Sequence, residues 1–229
     1  VQVAVKMLRD SSDSEDRVKF LQEAAIMRQF THRNVVYMYG VVTNSNPIMI
    51  VLEHMSLGNL RNYLLNLRLK YGKEVVLCLD TRSQLLGMIR DIAAGMQYLH
   101  SLGFVHRDLA ARNILLDSDM ICKIGDFGMS RDLMICDYYT SRGGRIPVKW
   151  TAPEAINYGR YSSASDVWSY GVLLFEIWSL GDKPYANLDN NEVVEAVSRG
   201  YRLPPPDHCP TMIYRLMVDC WYVWFVLLP

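Results

Sequence analysis

The stretch His106-Arg107-Asp108-Leu109-Ala110-Ala111-Arg112-Asn113, followed thirteen residues after its asparagine by Asp126-Phe127-Gly128, decides how this 229-residue chain is read. The two segments gather two carboxylates and a carboxamide, the hard oxygen donors that a magnesium ion prefers. The bland alternative, two exposed loop acids, does not account for both segments in this order at this separation. Immediately upstream, Leu85, Ile89, Ile92, Met96 and Leu99 are spaced by four and three. That spacing predicts a long amphipathic helix, closed by Gly103, which delivers the chain to the first segment.

Working further outward, residues 1 to about 55 alternate strand and helix signals, and the chain turns mostly helical from Leu60. A small mixed lobe followed by a larger helical one is expected. Val3, Ala4, Val5 and Met7 around Lys6 predict a strand. Ser12 with Glu15 has the pattern of a capping box, ahead of a helix that carries Val18, Leu21, Ala24 or Ala25, Met27 and also Glu23. Val35 to Val42 and Ile48 to Leu52 predict two strands of a hairpin, joined by the turn-rich stretch Thr43-Asn44-Ser45-Asn46-Pro47. Glu53-His54-Met55 then bridges the lobes. Residues 66 to 80 fit no periodic pattern and are expected to form a modest insert between helices. There is no internal repeat or low-complexity tract.

Twenty-four Lys and Arg balance 24 Asp and Glu, so no net charge argues for nucleic acid or an anionic membrane surface as partner. The five cysteines, Cys78, Cys122, Cys136, Cys209 and Cys220, are odd in number and lack the paired spacing of a zinc site, which favours a reducing compartment. Cys122 is expected in the core; Cys136, after Asp126, is the candidate exposed and reactive thiol. No apolar run approaches the roughly 20 residues that span a bilayer, and the longest, Trp221 to Leu228, is too short. Without a starting methionine or signal peptide the chain is expected to be a fragment, with any membrane attachment outside it.

The two opening segments resemble the signature set of protein kinases, and from Val3 to Trp221 the chain is similar to most of a protein-tyrosine kinase domain. The resemblance implies an α+β, two-lobed fold with ATP in the cleft. Residues 1–55 would form an incomplete small lobe with its hinge, 56–221 the large lobe, and 222–229 an atypical apolar tail. In Val3-Ala4-Val5-Lys6, Lys6 is implied to grip the α- and β-phosphates of ATP, with Glu23 as its ion-pair partner. Asp108 is implied as catalytic base, or as the group that orients the substrate hydroxyl, and Asn113 and Asp126 as ligands of Mg²⁺. Leu52 would stand as gatekeeper behind adenine, and Glu53 and Met55 would supply hinge backbone hydrogen bonds. His106 and Phe127 are expected as packing supports. Serine/threonine kinases place a lysine two residues after the catalytic aspartate; this chain has Ala110 there and Arg112 two further on, the tyrosine-kinase version. Pro147 and Trp150, in Ile146-Pro147-Val148-Lys149-Trp150, match the platform that supports an extended substrate beside a phenol ring.

Tyr138 and Tyr139 fall where the family carries activation-loop phosphorylation sites, and Arg107 and Arg131 are the candidate receivers for a phosphate of roughly −1.5 to −2 charges. The segments Tyr139 to Pro147, Ser163 to Gly171 and Gly200 to Pro206 look most like the ephrin-receptor group. Met129-Ser130-Arg131-Asp132 and Asp137-Tyr138-Tyr139 are also similar to insulin-receptor and neurotrophin-receptor kinases. Two departures stand out: the glycine-rich loop that should precede Val3 is absent, and Tyr222 to Pro229 do not continue the family pattern. In the family an arginine beyond that point pairs with the glutamate matching Glu154, which here would be left to bear a desolvation cost or take up a proton. The expectation is a receptor-type protein-tyrosine kinase domain on the cytoplasmic side of the plasma membrane. It would act on tyrosine-bearing proteins with Mg²⁺ and ATP, and form at least transient homodimers for trans-phosphorylation. A pseudokinase scaffold and a non-receptor cytoplasmic kinase remain as alternatives.

Overall fold

The structure, a computed structural model, describes residues 2–8, 13–128, 131–132, 139–140 and 146–222. The amino-terminal lobe is a three-stranded antiparallel sheet in the order β1-β3-β2, formed by β1 (Val3–Met7), β2 (Met38–Val42) and β3 (Met49–Glu53). Central β3 pairs Ile50 with Lys6 on one side and with Val41 on the other. Helix α1 (Ser14–Met27) packs Phe20, Ala24 and Met27 inward at helical spacing and carries Glu23 on that same buried face. Its cap is Asp13, whose side chain accepts from the Asp16 N–H at 2.8 Å, rather than the Ser12/Glu15 box; Ser12 lies outside the described residues.

The larger lobe begins with the short β4 (Gly58–Asn59), α2 (Leu60–Tyr71), a 3₁₀ turn (Lys73–Leu77) and α3 (Leu79–Ser101). The expected insert over 66–80 is therefore helix continued and then a tight turn. Its periodicity is hidden because Leu69 and Tyr71 point to solvent while Leu64 is buried. After β5 (Phe104–Val105) come a 3₁₀ turn (Ala111–Asn113) and the hairpin of β6 (Ile114–Leu116) and β7 (Cys122–Ile124). Two short strands follow in backbone outline: β8 (Arg131–Asp132), paired with β5, and β9 (Tyr139–Thr140), paired with β10 (Arg160–Tyr161). A 3₁₀ turn (Val148–Trp150), α4 (Pro153–Tyr158), α5 (Ser163–Trp178), α6 (Asn190–Ser198) and α7 (Thr211–Tyr222) complete the chain. Helix α5 starts in a Ser162/Ser165 capping box and is buried almost all round, making it the axis of this lobe. Tyr222, the first residue of the expected tail over 222–229, instead closes α7, and the rest of that tail lies outside the described residues.

The predicted strand from Val35 is shorter than expected. Val35 and Val36 are buried but leave the small sheet: Val36 N–H donates to the Ile124 carbonyl and Ile124 N–H to the Asn34 carbonyl, both at 2.9 Å. Asn34 Nδ2 also donates to the Cys122 carbonyl, and Thr31 N–H to the Tyr98 hydroxyl. Residues 31–36 are thus a strap bound to the large lobe. Gly95 of α3 makes room for it, since a Cβ there would stand 2.6 Å from the Asn34 carbonyl oxygen and 2.8 Å from Ile124 Cδ1. Cys122 is a core thiol as expected, its pKa driven far up by burial.

Gly95→Ala is expected to destabilise the fold by about 1 to 3 kcal/mol, because the strap carbonyl is held by the Ile124 N–H and Ile124 is itself buried; the midpoint and slope of urea unfolding measure this. Glu154 offers a pH test. Burial lifts its carboxyl pKa above the usual range, and among the described residues no cation offsets the cost. A raised native pKa contributes stability below the ordinary carboxylate pKa that is lost as pH climbs through the native value. Glu154→Gln should therefore raise the melting temperature at neutral pH, with a gain that shrinks toward pH 4.5; an equal gain at both pH values would contradict this.

Candidate active site

The site is assembled where the two lobes meet. Lys6 Nζ on β1 lies 2.7 Å from both carboxylate oxygens of Glu23 on α1. The carboxylate is buried while the lysine side chain stays 43% exposed, so the ammonium is fixed by one partner with a donor left for another. Leu52 lies in the middle of the sheet opposite Ala4 and Met38, and Glu53 to Met55 carry the chain across to the large lobe. Glu53 is pinned there: its side chain accepts from the Tyr37 N–H and pairs with Lys123 of β7. The Met55 carbonyl accepts from the Gly58 N–H at 3.1 Å, and among the described residues its own N–H has no partner.

Below the cleft, the catalytic-loop segment turns on a strained corner. Arg107 has φ 72, a left-handed conformation that is costly for a residue with a Cβ. It is held by Asp166 of α5, whose buried carboxylate accepts the backbone N–H of His106 at 2.8 Å and of Arg107 at 2.9 Å, with the His100 ring at 3.0 Å. His106 then joins the two opening segments. Its Nδ1 faces the Asp108 N–H at 3.3 Å, which leaves the ring proton on Nε2 to donate to the Gly125 carbonyl at 3.0 Å. Phe127 packs on His106 and on Phe30, at ring-centre distances of 5.4 and 5.0 Å.

Asp108 is fixed by two donors: Arg112 Nη2 to one carboxylate oxygen, and Asn113 Nδ2 to the other at 2.8 Å and to the Asp108 carbonyl at 2.7 Å. A lone pair remains on each carboxylate oxygen for a substrate hydroxyl. With the Asn113 side-chain amide hydrogens spent on Asp108, its side-chain oxygen Oδ1, distinct from its backbone carbonyl, is the part left to act as ligand. Pairing of β6 with β7 sets Gly125 N–H on the Asn113 carbonyl at 2.9 Å, which brings Asp126 alongside. Asp126 is exposed, in a left-handed conformation at φ 56, with one oxygen accepting from Gly128 N–H. No group of three or more His, Cys, Asp or Glu that could hold a metal occurs among the described residues. The candidate donor set is this one carboxylate and one amide oxygen, both hard and both available, which fits magnesium completed by phosphates and water.

The platform adjoins this centre. Arg112 lies over the Trp150 ring at 4.5 Å, and Trp150 Nε1 donates to Glu176 of α5 at 2.8 Å. The same Glu176 oxygen accepts from the Ala111 N–H at 2.9 Å. Burial pushes the Glu176 pKa up, and the Ala111 and Trp150 bonds pull it back down. Of the proposed phosphate receivers, Arg107 is buried with its guanidinium 4.0 Å from the Tyr161 ring centre, and Tyr161 pairs through its backbone with Tyr139. Tyr138 and Cys136 lie outside the described residues, and Arg131 and Tyr139 are described in backbone only.

Sequence reasoning missed Asp166 and Glu176 as supports of the site. The signal was present, since each is an acid within the apolar helix α5, and buried carboxylates require donors.

The sequence matches the family of protein tyrosine and serine/threonine kinases over residues 1–224. It is 49% identical to ephrin type-A receptor 3 of Danio rerio over 223 residues, which is 96% of this chain and 22% of that protein. It is 50% identical to ephrin type-A receptor 5 of Rattus norvegicus over 221 residues, and 49% identical to ephrin type-B receptor 5 of Gallus gallus over 223, each 96% of this chain and 21% of the relative. The chain spans about a fifth of the length of these curated relatives. By the extent of the family match, and with a two-lobed α+β fold that agrees with it, the chain belongs to the protein tyrosine and serine/threonine kinases.

Proposed function

We propose that this chain is the catalytic domain of a receptor-type protein-tyrosine kinase, transferring the γ-phosphoryl group of ATP to tyrosine hydroxyls of protein substrates. The observation that carries the reading is that the Lys6–Glu23 ion pair adjoins the segment of Asp126, since a Cβ on Gly128 would stand 3.3 Å from Asp126 Oδ1 and 3.9 Å from Glu23 Oε2, while Asn113 joins that segment to the doubly held Asp108. The tyrosine preference rests on Ala110 and Arg112 in the loop and on Arg112 stacked against Trp150 of the platform. Receptor type rests on the named receptors that the chain resembles, and a cytoplasmic position beneath the plasma membrane goes with it. None of the helices in the described residues is long and apolar enough to cross a membrane.

In this mechanism Lys6 fixes the α- and β-phosphates, and the Glu53 carbonyl and Met55 N–H orient adenine, with Leu52 behind it. Asn113 and Asp126 would hold magnesium, which supplies charge neutralisation on the β- and γ-phosphate oxygens. Asp108, its plane set by Arg112 and Asn113, accepts a hydrogen bond from the substrate hydroxyl and aims its oxygen in line with the phosphorus, taking the proton as transfer completes. Pro147 and Trp150 support the substrate backbone. Autophosphorylation at Tyr138 and Tyr139 would proceed between two copies in a transient homodimer, with Arg107 and Arg131 receiving the phosphate.

With Mg²⁺-ATP and a tyrosine peptide, turnover on the order of 1 to 100 per second is expected for the full-length protein. Asp108→Asn should lose nearly all of it while retaining ATP binding; equal turnover by this variant would sink the assignment. A Tyr138→Phe/Tyr139→Phe double variant should show lower turnover after preincubation with ATP than the wild type treated alike, and identical rates would remove the activation-loop role.

A further inference from the structure

Lys149 sits inside the platform turn, between Val148 and Trp150, yet it is only 6% exposed. Lysine is among the residues least often buried, because its ammonium is strongly hydrated. Here two backbone oxygens replace that water: Nζ donates to the Tyr185 and Leu188 carbonyls, each at 2.6 Å. Burial, and after it the charge of Lys183, push the ammonium pKa down, while Asp189 and Glu192 push it up. Both acceptors belong to the loop between α5 and α6, 36 and 39 residues further along the chain.

That loop carries an anomaly. Tyr185 is buried with φ 49, and among the described residues its buried hydroxyl has no hydrogen-bond partner. A bulky residue persists in such a conformation only where its surroundings over-determine it, and such outliers cluster at functional sites. The second acceptor, Leu188, directly precedes Asp189, the cap of α6, whose side chain accepts from Glu192 N–H while Glu192 caps back. One ammonium therefore grips both the strained tyrosine and the start of a helix. Across a cavity, Val193 and Val197 of that helix face Val148, Pro153 and Ile156 on the platform side.

We propose that Lys149 is a positioning residue for the protein substrate: its ammonium clasps the α5–α6 loop to the platform, so that Pro147–Trp150 and the start of α6 hold one geometry when a tyrosine-bearing peptide docks. The inference rests on the phosphotransferase reading above and names the residue that shapes the peptide side of that site. Lys149 contacts none of the residues assigned to ATP or magnesium. Its loss weakens peptide docking before and during transfer alike, and so acts on the peptide KM.

Phosphate transfer to a tyrosine peptide, compared for wild type, Lys149→Met and Lys149→Arg in the full-length protein, tests this. Lys149→Met is expected to raise the peptide KM about tenfold, the scale of one lost charge-assisted hydrogen bond. Its kcat and its KM for ATP should stay within about twofold. Lys149→Arg should recover most of the loss, because a guanidinium can donate to both carbonyls. An unchanged peptide KM in Lys149→Met, or a kcat and an ATP KM that worsen as much as the peptide KM, would overturn the clasp. Absence of transfer by the wild type would instead strike the phosphotransferase reading. Should Lys149→Met fail to fold, or the wild type show no turnover, amide hydrogen exchange on the wild type decides. Saturating tyrosine peptide should slow exchange across 185–188 together with 147–150, and slowing confined to the platform, or none at all, refutes the proposal.

Discussion

One buried carboxylate sets the geometry of the large lobe's half of the site. Asp166 is 1% exposed and receives the backbone N–H groups of His106 and Arg107 and the ring of His100. An unpaired charge at that depth is prohibitively costly, whereas one met by several donors is stable and strongly directional. The left-handed corner at Arg107 follows from it, and Asp108 is aimed by that corner. Because Asp166 belongs to the most enclosed helix, Asp108 is referenced to the most buried part of the large lobe.

Glu176 extends this logic ten residues along the same helix. It gathers Ala111 from the catalytic loop and Trp150 from the platform onto one oxygen. The loop that carries Asp108 and the 3₁₀ turn that carries Trp150 thus share a single origin in α5. The small lobe contributes differently: Lys6 and Glu23 come from separate elements of that lobe, and their contact depends on where α1 stands against the sheet.

The kinase family was legible from the opening segments because each motif is short and its order along the chain is diagnostic. The two-lobed α+β class was legible too, through the change from alternating to helical periodicity near Leu60. Boundaries were less so. The last turns of α2 carry Leu69 and Tyr71 on a solvent face, which erases the apolar stripe, and Asp13 outcompetes Ser12 as the cap. Val35 and Val36 look like strand residues by composition, but their partners lie some 88 residues downstream in β7. No local pattern announces a partner that distant. Asp166 and Glu176 stand out as acids in an apolar helix, but which donors each one binds is decided by folding and not by its neighbours in the chain.

The strap at 31–36 alters how the cleft can deform. In sequence it interrupts the small lobe, yet its bonds run to α3 and β7. The small lobe is therefore tethered to the large one in three places: after α1, where the strap passes into β2, and at His54–Met55. A body hung from one thread swings freely; one hung from three resists twisting, and can rock only by coordinated dihedral changes at every tether. Cleft stiffness in this fold is accordingly a property of the strap as much as of the hinge, and a mutation near Asn34 reaches the junction of the lobes through mechanics alone.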